Sequence, residues 1–235
     1  MQFFKKLKLD LENFSDQKQA EILSRFFKTG IGEYGQGDKF LGVRVSILRK
    51  IAKHYGNVPL SELQQLLNSK IHENRQIALF ILMNQYGESE EKSKKQIVDF
   101  YLRNTKNINN WDLVDISAPN ILGNYFLDKK RNILFEMSQS KSLWERRIAV
   151  LATLTFIRNH DFKDTLKICK ILINDQHDLI HKACGWMLRE IGNRSKKVEQ
   201  DFLRKNYQKM PRTMLRYAIE KFPEKERKLW LNKKY

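Results

Sequence analysis

The chain has 235 residues, 41% of them apolar, and carries 44 lysines and arginines against 27 aspartates and glutamates, a formal charge of +17. That is enough chain for one large or two small domains with a sizeable core, and far more positive charge than solubility requires. No apolar stretch approaches the roughly 20 residues of a membrane-spanning helix, the amino terminus lacks a signal-peptide apolar region, and two cysteines without a CxxC pair argue against a disulfide framework.

Such a field attracts a polyanion, nucleic acid first and an anionic membrane surface second. The expected location is the cytoplasm, associated with the nucleoid when DNA is bound. Cys169 and Cys184 read as core thiols.

The first 45 residues or so read as a helical cap that ends in a glycine-rich loop. Half of the 10 glycines fall between Thr29 and Gly42. Gly30-Ile31-Gly32-Glu33-Tyr34-Gly35 matches GxGxxG, but the dinucleotide fingerprint needs a strand before it and a helix after it. Here a helix precedes, so the segment reads as a helix C-cap followed by a mobile loop, with Asp38 to Arg44 within reach of a ligand.

From about residue 46 to 235, helices of similar design recur. Arg75-Gln76-Ile77-Ala78, Arg146-Arg147-Ile148-Ala149, His181-Lys182-Ala183-Cys184 and Leu215-Arg216-Tyr217-Ala218 start 71, 35 and 34 residues apart. Halving the first gap places a further copy near 110 or 111, where Trp111-Asp112-Leu113-Val114 stands. A period of about 35 with two helices per unit is the signature of a helical solenoid. The expected fold is therefore all-α: a single domain of five to six stacked two-helix repeats with a concave face. The second position of each copy is polar (Gln76, Asp112, Arg147, Lys182, Arg216), and the basic members predict an outward track suited to a phosphate backbone.

Within the second of these copies, NNWDLVDISAP (Asn109 to Pro119) has no lysine or arginine. Asn110 suits an N-cap, and Asp112 and Asp115 then lie near the positive end of the helix, which accounts for both acids without function. Trp111 stays unexplained by that reading, and Pro119 predicts a kink or restart. The functional reading gains from Trp186, four residues after Lys182, whereas Trp144 reads as a core or staple residue. His177, His181 and Cys184 could be metal ligands on spacing, but no fourth ligand stands at a usual interval, so no metal and no cofactor is expected. No GxSxG or nucleophilic cysteine motif occurs.

NWDLVD with the following AP (Asn110 to Asp115, Ala118-Pro119), WERRIA (Trp144 to Ala149), GW (Gly185-Trp186) and FLGVR (Phe40 to Arg44) together resemble the AlkD-like DNA alkylation repair enzymes, glycosylases built of HEAT-like repeats. The resemblance spans residues 40 to 192 and implies a right-handed solenoid of ARM/HEAT-type repeats with a concave basic groove. It also implies hydrolysis of the N-glycosidic bond of N3- and N7-alkylated purines in double-stranded DNA by a monomer. By motif, Asp115, Trp111 and Trp186 take the catalytic positions. Arg147 or its neighbour Arg146 takes a phosphate contact, with Lys182 and Arg216 beside them on the DNA. Phe26 stands where the family usually has a tyrosine. The rival readings are a non-catalytic solenoid binding damaged, distorted or branched DNA, and a protein-interaction scaffold.

Overall fold

The computed structural model describes residues 2–232, and among these the regular structure is helical apart from an isolated bridge between Lys39 and Ile71. The chain divides into two compact units, one running to Leu113 and the other beginning at Val114.

The amino-terminal unit holds α1 (Gln2–Glu12), α2 (Gln17–Phe26), α3 (Val45–Lys53), α4 (Leu60–Leu67), α5 (His72–Glu88) and α6 (Glu91–Arg103), and it ends on the first residues of α7 (Trp111–Ala118). α5 is its centre. Residues from His72 to Leu82 along this helix are almost all buried, and α3, α4 and α6 pack around it. A helix covered on all sides carries no single apolar stripe, so its polar residues must find partners inside the fold.

The carboxy-terminal unit continues with a π-helical turn over Pro119–Gly123, then α8 (Asn132–Ser138), α9 (Leu143–Arg158), α10 (Lys163–Ile171), α11 (Asp178–Gly192), α12 (Lys196–Asn206), α13 (Arg212–Ala218) and α14 (Glu224–Leu231). α9 takes the central position here, buried from Arg147 to Ile157 and packed against α8, α10 and α11. Ser142 caps it, its side chain accepting from the Glu145 amide. The π turn falls at the expected break: Pro119 has no amide hydrogen to donate, and its carbonyl accepts a 2.7 Å bond from Thr155 Oγ1.

The repeated tetrapeptides fall on α5, α7, α9, α11 and α13, in each case the second helix of a pair beginning with α4, α6, α8, α10 or α12. The recurring helical design read from the sequence is thus present, with α1 to α3 before the first pair and α14 after the last. Cys169 and Cys184 are both fully buried, as core thiols.

The glycine-rich loop, expected to be mobile, makes a series of hydrogen bonds. Gly30 and Gly32 amides are bonded to the Glu33 and Gln36 side chains, and the Gly35 amide closes back onto the Lys28 carbonyl at 3.0 Å. Its end is tied to α5: the Lys39 amide donates to Lys70 O, the His72 amide donates to Lys39 O, and the Leu41 and Gly42 amides both donate to the Glu73 carboxylate. Gly42 has φ +82, and a Cβ there would lie 2.0 Å from Asp16 O, so only glycine fits.

Glu199 on α12 is 1% exposed, with Oε1 lacking a hydrogen-bond partner. Burial pushes its pKa up to about 8; Lys196 and Arg189 oppose the rise and Glu226 adds to it. The folded chain therefore holds this proton above the ordinary value of 4.5, and stability present in acid is lost as pH rises through about 8. Thermal melts of Glu199→Gln should run several degrees above wild type near about pH 8.5 and close to it near about pH 5.

Candidate active site

Trp111 opens α7, and its amide donates to Asn110 Oδ1 at 2.8 Å, so Asn110 caps the helix as its sequence position indicates. The indole is half-buried within an aromatic cluster of the amino-terminal unit. It stacks on Phe27 at 5.2 Å and meets Phe26 edge-on at 5.8 Å, and Phe27 in turn stacks on Phe40 and His72. Phe26 is 60% exposed, and Phe27 is buried beneath. The cluster supplies what capping alone lacked, a reason for a large aromatic residue at a helix start.

Asp112 does more than sit in the helix dipole. Its Oδ2 accepts from His72 Nε2 at 2.8 Å and from Gln76 Nε2 at 3.0 Å, both on α5. The other ring nitrogen of His72 lies 3.1 Å from Asp38 Oδ2, which also accepts from Arg75 Nη2 at 2.6 Å. Burial alone would push the Asp38 carboxyl up, but His72 and Arg75 outweigh it and hold it below the usual carboxylate range.

In the carboxy-terminal unit, Asp115 meets Arg147 of α9 in a two-pronged pair: Nε to Oδ1 at 2.8 Å and Nη2 to Oδ2 at 2.8 Å. Arg147 Nη1 donates to the Leu179 carbonyl. Arg147 is 5% exposed and Asp115 16%, so the carboxylate is the more accessible end of the pair. Where an outward phosphate contact was expected, three of the guanidinium's donors are spent on protein acceptors. Arg146 is similarly engaged, with Asp175 at 2.6 Å and the carbonyls of Ser140 and Lys141.

The second-position slot is consequently not one uniform outward track. Gln76 and Arg147 are buried and turn to acids at the start of α7. Lys182 is half-exposed and paired with Asp178 at 2.7 Å, and Arg216 is exposed. These last two do come together: Lys182, Arg216, Tyr217 and Arg227 line one open cleft of 510 Å³, with Asp178 and Glu220 at its wall.

Trp186 is half-buried on α11, its Nε1–H donating to Glu190 Oε1 at 3.2 Å. Gly185 before it lies so close to α13 that a Cβ would fall 2.5 Å from Met214 O. Trp144 is half-buried as well. His177 Nδ1 accepts the Leu179 amide at 3.1 Å and His181 Nε2 meets the Asp175 carbonyl. Among the described residues no group of three His, Cys, Asp or Glu is placed to hold a metal ion, and no helix is long and apolar enough to cross a membrane.

Phe27 and His72 carry no signal in the sequence, and Asp38, Phe40 and Gln76, though marked there, were not tied to this cluster. The hydrogen-bond partners of His72, Asp38 and Gln76 lie 34 to 40 residues away, as with Asp38 and His72 or His72 and Asp112, and no local spacing marks such a pair.

A family model described as DNA alkylation repair enzyme matches residues 7–222. The chain belongs to the DNA alkylation repair enzyme family. A solved structure described as a predicted DNA alkylation repair enzyme from Enterococcus faecalis shares its fold, with a TM-score of 0.69 and 14% identity over 89% of this chain and 97% of that one. A comparison with curated proteins found no match. Membership in the DNA alkylation repair enzyme family makes DNA the substrate class and gives the positive charge a partner.

Proposed function

We propose that this member of the family is a monofunctional DNA glycosylase that hydrolyses the N-glycosidic bond of N3- and N7-alkylated purines in double-stranded DNA, acting as a monomer and a single domain. The observation that carries the reading is the Asp115–Arg147 pair, a carboxylate fixed in one orientation by two 2.8 Å bonds with its negative end the more exposed.

A purine alkylated at N3 or N7 is already cationic and departs without a general acid. What needs support is the positive charge that grows on the deoxyribose as the bond lengthens. A carboxylate whose position is set beforehand offers that support without reorganising. Arg147 bonds each oxygen of Asp115 and so fixes the carboxylate, whose negative charge then opposes the positive charge growing on the sugar and orients the attacking water. Arg147 thus positions Asp115 instead of holding phosphate. Trp111 and Trp186 are assigned to the sugar, where electron-rich indole faces favour a cation, and exposed Phe26 extends the aromatic surface beside Trp111.

Lys182 and Arg216 are assigned to the phosphate backbone. The variants Lys182→Ala and Arg216→Ala should each weaken binding to undamaged duplex and reduce the slope of log affinity against log salt by about 1. A slope equal to wild type in both would remove these residues from the interface.

The glycosylase reading is tested by incubating the protein with methylated duplex DNA and identifying the purines set free. N3-methyladenine and N7-methylguanine should accumulate while neutral O6-methylguanine stays attached. Retained DNA binding with no purine released would assign the chain to the non-catalytic recognition of damaged or distorted DNA.

A further inference from the structure

A bonded polar cluster of the amino-terminal unit, centred on His72, takes no part in the chemistry above. His72 is 2% exposed at the start of α5, flanked by Phe27 and Phe40, and each of its ring nitrogens faces a carboxylate oxygen: Nδ1 toward Asp38, Nε2 toward Asp112. A neutral imidazole has one N–H and one lone pair. Between two ionised acids, the lone pair would confront an acceptor. Only the doubly protonated ring donates to both.

We infer that His72, held as an imidazolium between Asp38 and Asp112, is a positioning residue for Trp111, fixing the first turn of α7 and the aromatic stack on which that indole rests. The geometry supports both halves. Asp112 is the residue after Trp111, so the bond from Nε2 anchors the backbone that carries the indole. The imidazole face stacks at 5.1 Å on Phe27, which stacks at 5.2 Å on Trp111. One ring therefore holds the tryptophan through its helix and through its packing. Its role for Trp111 in base release rests on the glycosylase reading; its charge state does not.

The charged groups around the ring are few. Asp38 comes from the loop, Asp112 from α7, and Arg75 from α5, the last already paired with Asp38. Glu73 of α5 is occupied by the Leu41 and Gly42 amides. Burial would push the His72 pKa down, but the bonds to Asp112 and Asp38 outweigh it and bring it up to about 9, with Arg75 opposing. The ring therefore keeps its positive charge above the ordinary value of 6.5 and loses it as pH rises through about 9.

Two measurements test this. In ¹⁵N NMR spectra of the whole chain, with the His72 signals assigned by their loss in His72→Gln, both ring nitrogens should keep imidazolium shifts at pH about 7.5, where an ordinary histidine is neutral. A neutral ring there overturns the inference whether or not the protein releases bases. In single-turnover release of N7-methylguanine, His72→Gln and Asp112→Asn should each lower the rate about 10-fold while the Kd for the same duplex changes less than about 2-fold. The wild-type rate should fall as pH climbs through about 9, and the fall should be absent in His72→Gln. A wild-type protein that releases no base defeats the glycosylase reading, and with it the role for Trp111, while leaving the NMR result as the test of the charge. An active wild type whose rate and alkaline profile are unchanged in both variants overturns the positioning role.

Discussion

Arg147→Ala is expected to cost the fold about 3 kcal/mol or more, the range for removing one partner of a buried ion pair. The substitution deletes both bonds to Asp115 and the bond to the Leu179 carbonyl, and it leaves a carboxylate only 16% exposed without that guanidinium. For a chain of this size the melting temperature should drop by roughly 6 to 12 °C. Base release should also fall, because the carboxylate regains rotamers the pair denies it. Arg147→Lys keeps a charge but loses the fork and should lie between the two in both measurements. DNA affinity separates this account from the phosphate role expected of Arg147 by resemblance. If Arg147→Ala binds undamaged duplex as wild type does, positioning is its function; a large loss of affinity in a folded variant would restore the phosphate contact.

Much of the fold was legible because periodicity is a property of the chain itself. The tetrapeptides at 75, 146, 181 and 215, with the inferred copy at 111, fall on the second helices of five successive pairs. Pro119 announced the π turn through its missing donor. The site was legible as a set of residues and much less as a set of partners. Polarity at the second position was read as an outward face, yet Gln76 and Arg147 sit on helices buried on every side, where a polar group must bond inward. Residue type cannot tell those two from Lys182 and Arg216, whose helices expose that position. Asp112 and Asp115 likewise satisfied a local explanation, the positive end of α7. That explanation concealed two unlike roles, one acid bonded to a buried histidine and the other to a buried arginine. The bond at the end of the glycine loop was hidden for the same reason: Glu73, which accepts from the Gly42 amide, stands 31 residues beyond it.

Asp115→Asn is expected to lower the rate of base release by about 10² or more, the scale of losing a group that stabilises developing charge. Asparagine keeps the volume and one acceptor, so a bond from Arg147 can persist, but the negative charge is gone. Arg147 then loses its counter-charge, and the melting temperature should fall as well. The comparison is therefore made at a temperature where both proteins are folded. Affinity for DNA should stay near wild type, since Asp115 carries no positive charge to place on a phosphate. The decisive measurement is the single-turnover rate of N7-methylguanine release from one duplex by wild type and by Asp115→Asn, with equal DNA occupancy established for each. If Asp115 stabilises the developing charge, the wild-type rate should be at least about 10² above the variant. Equal rates at equal occupancy would contradict it.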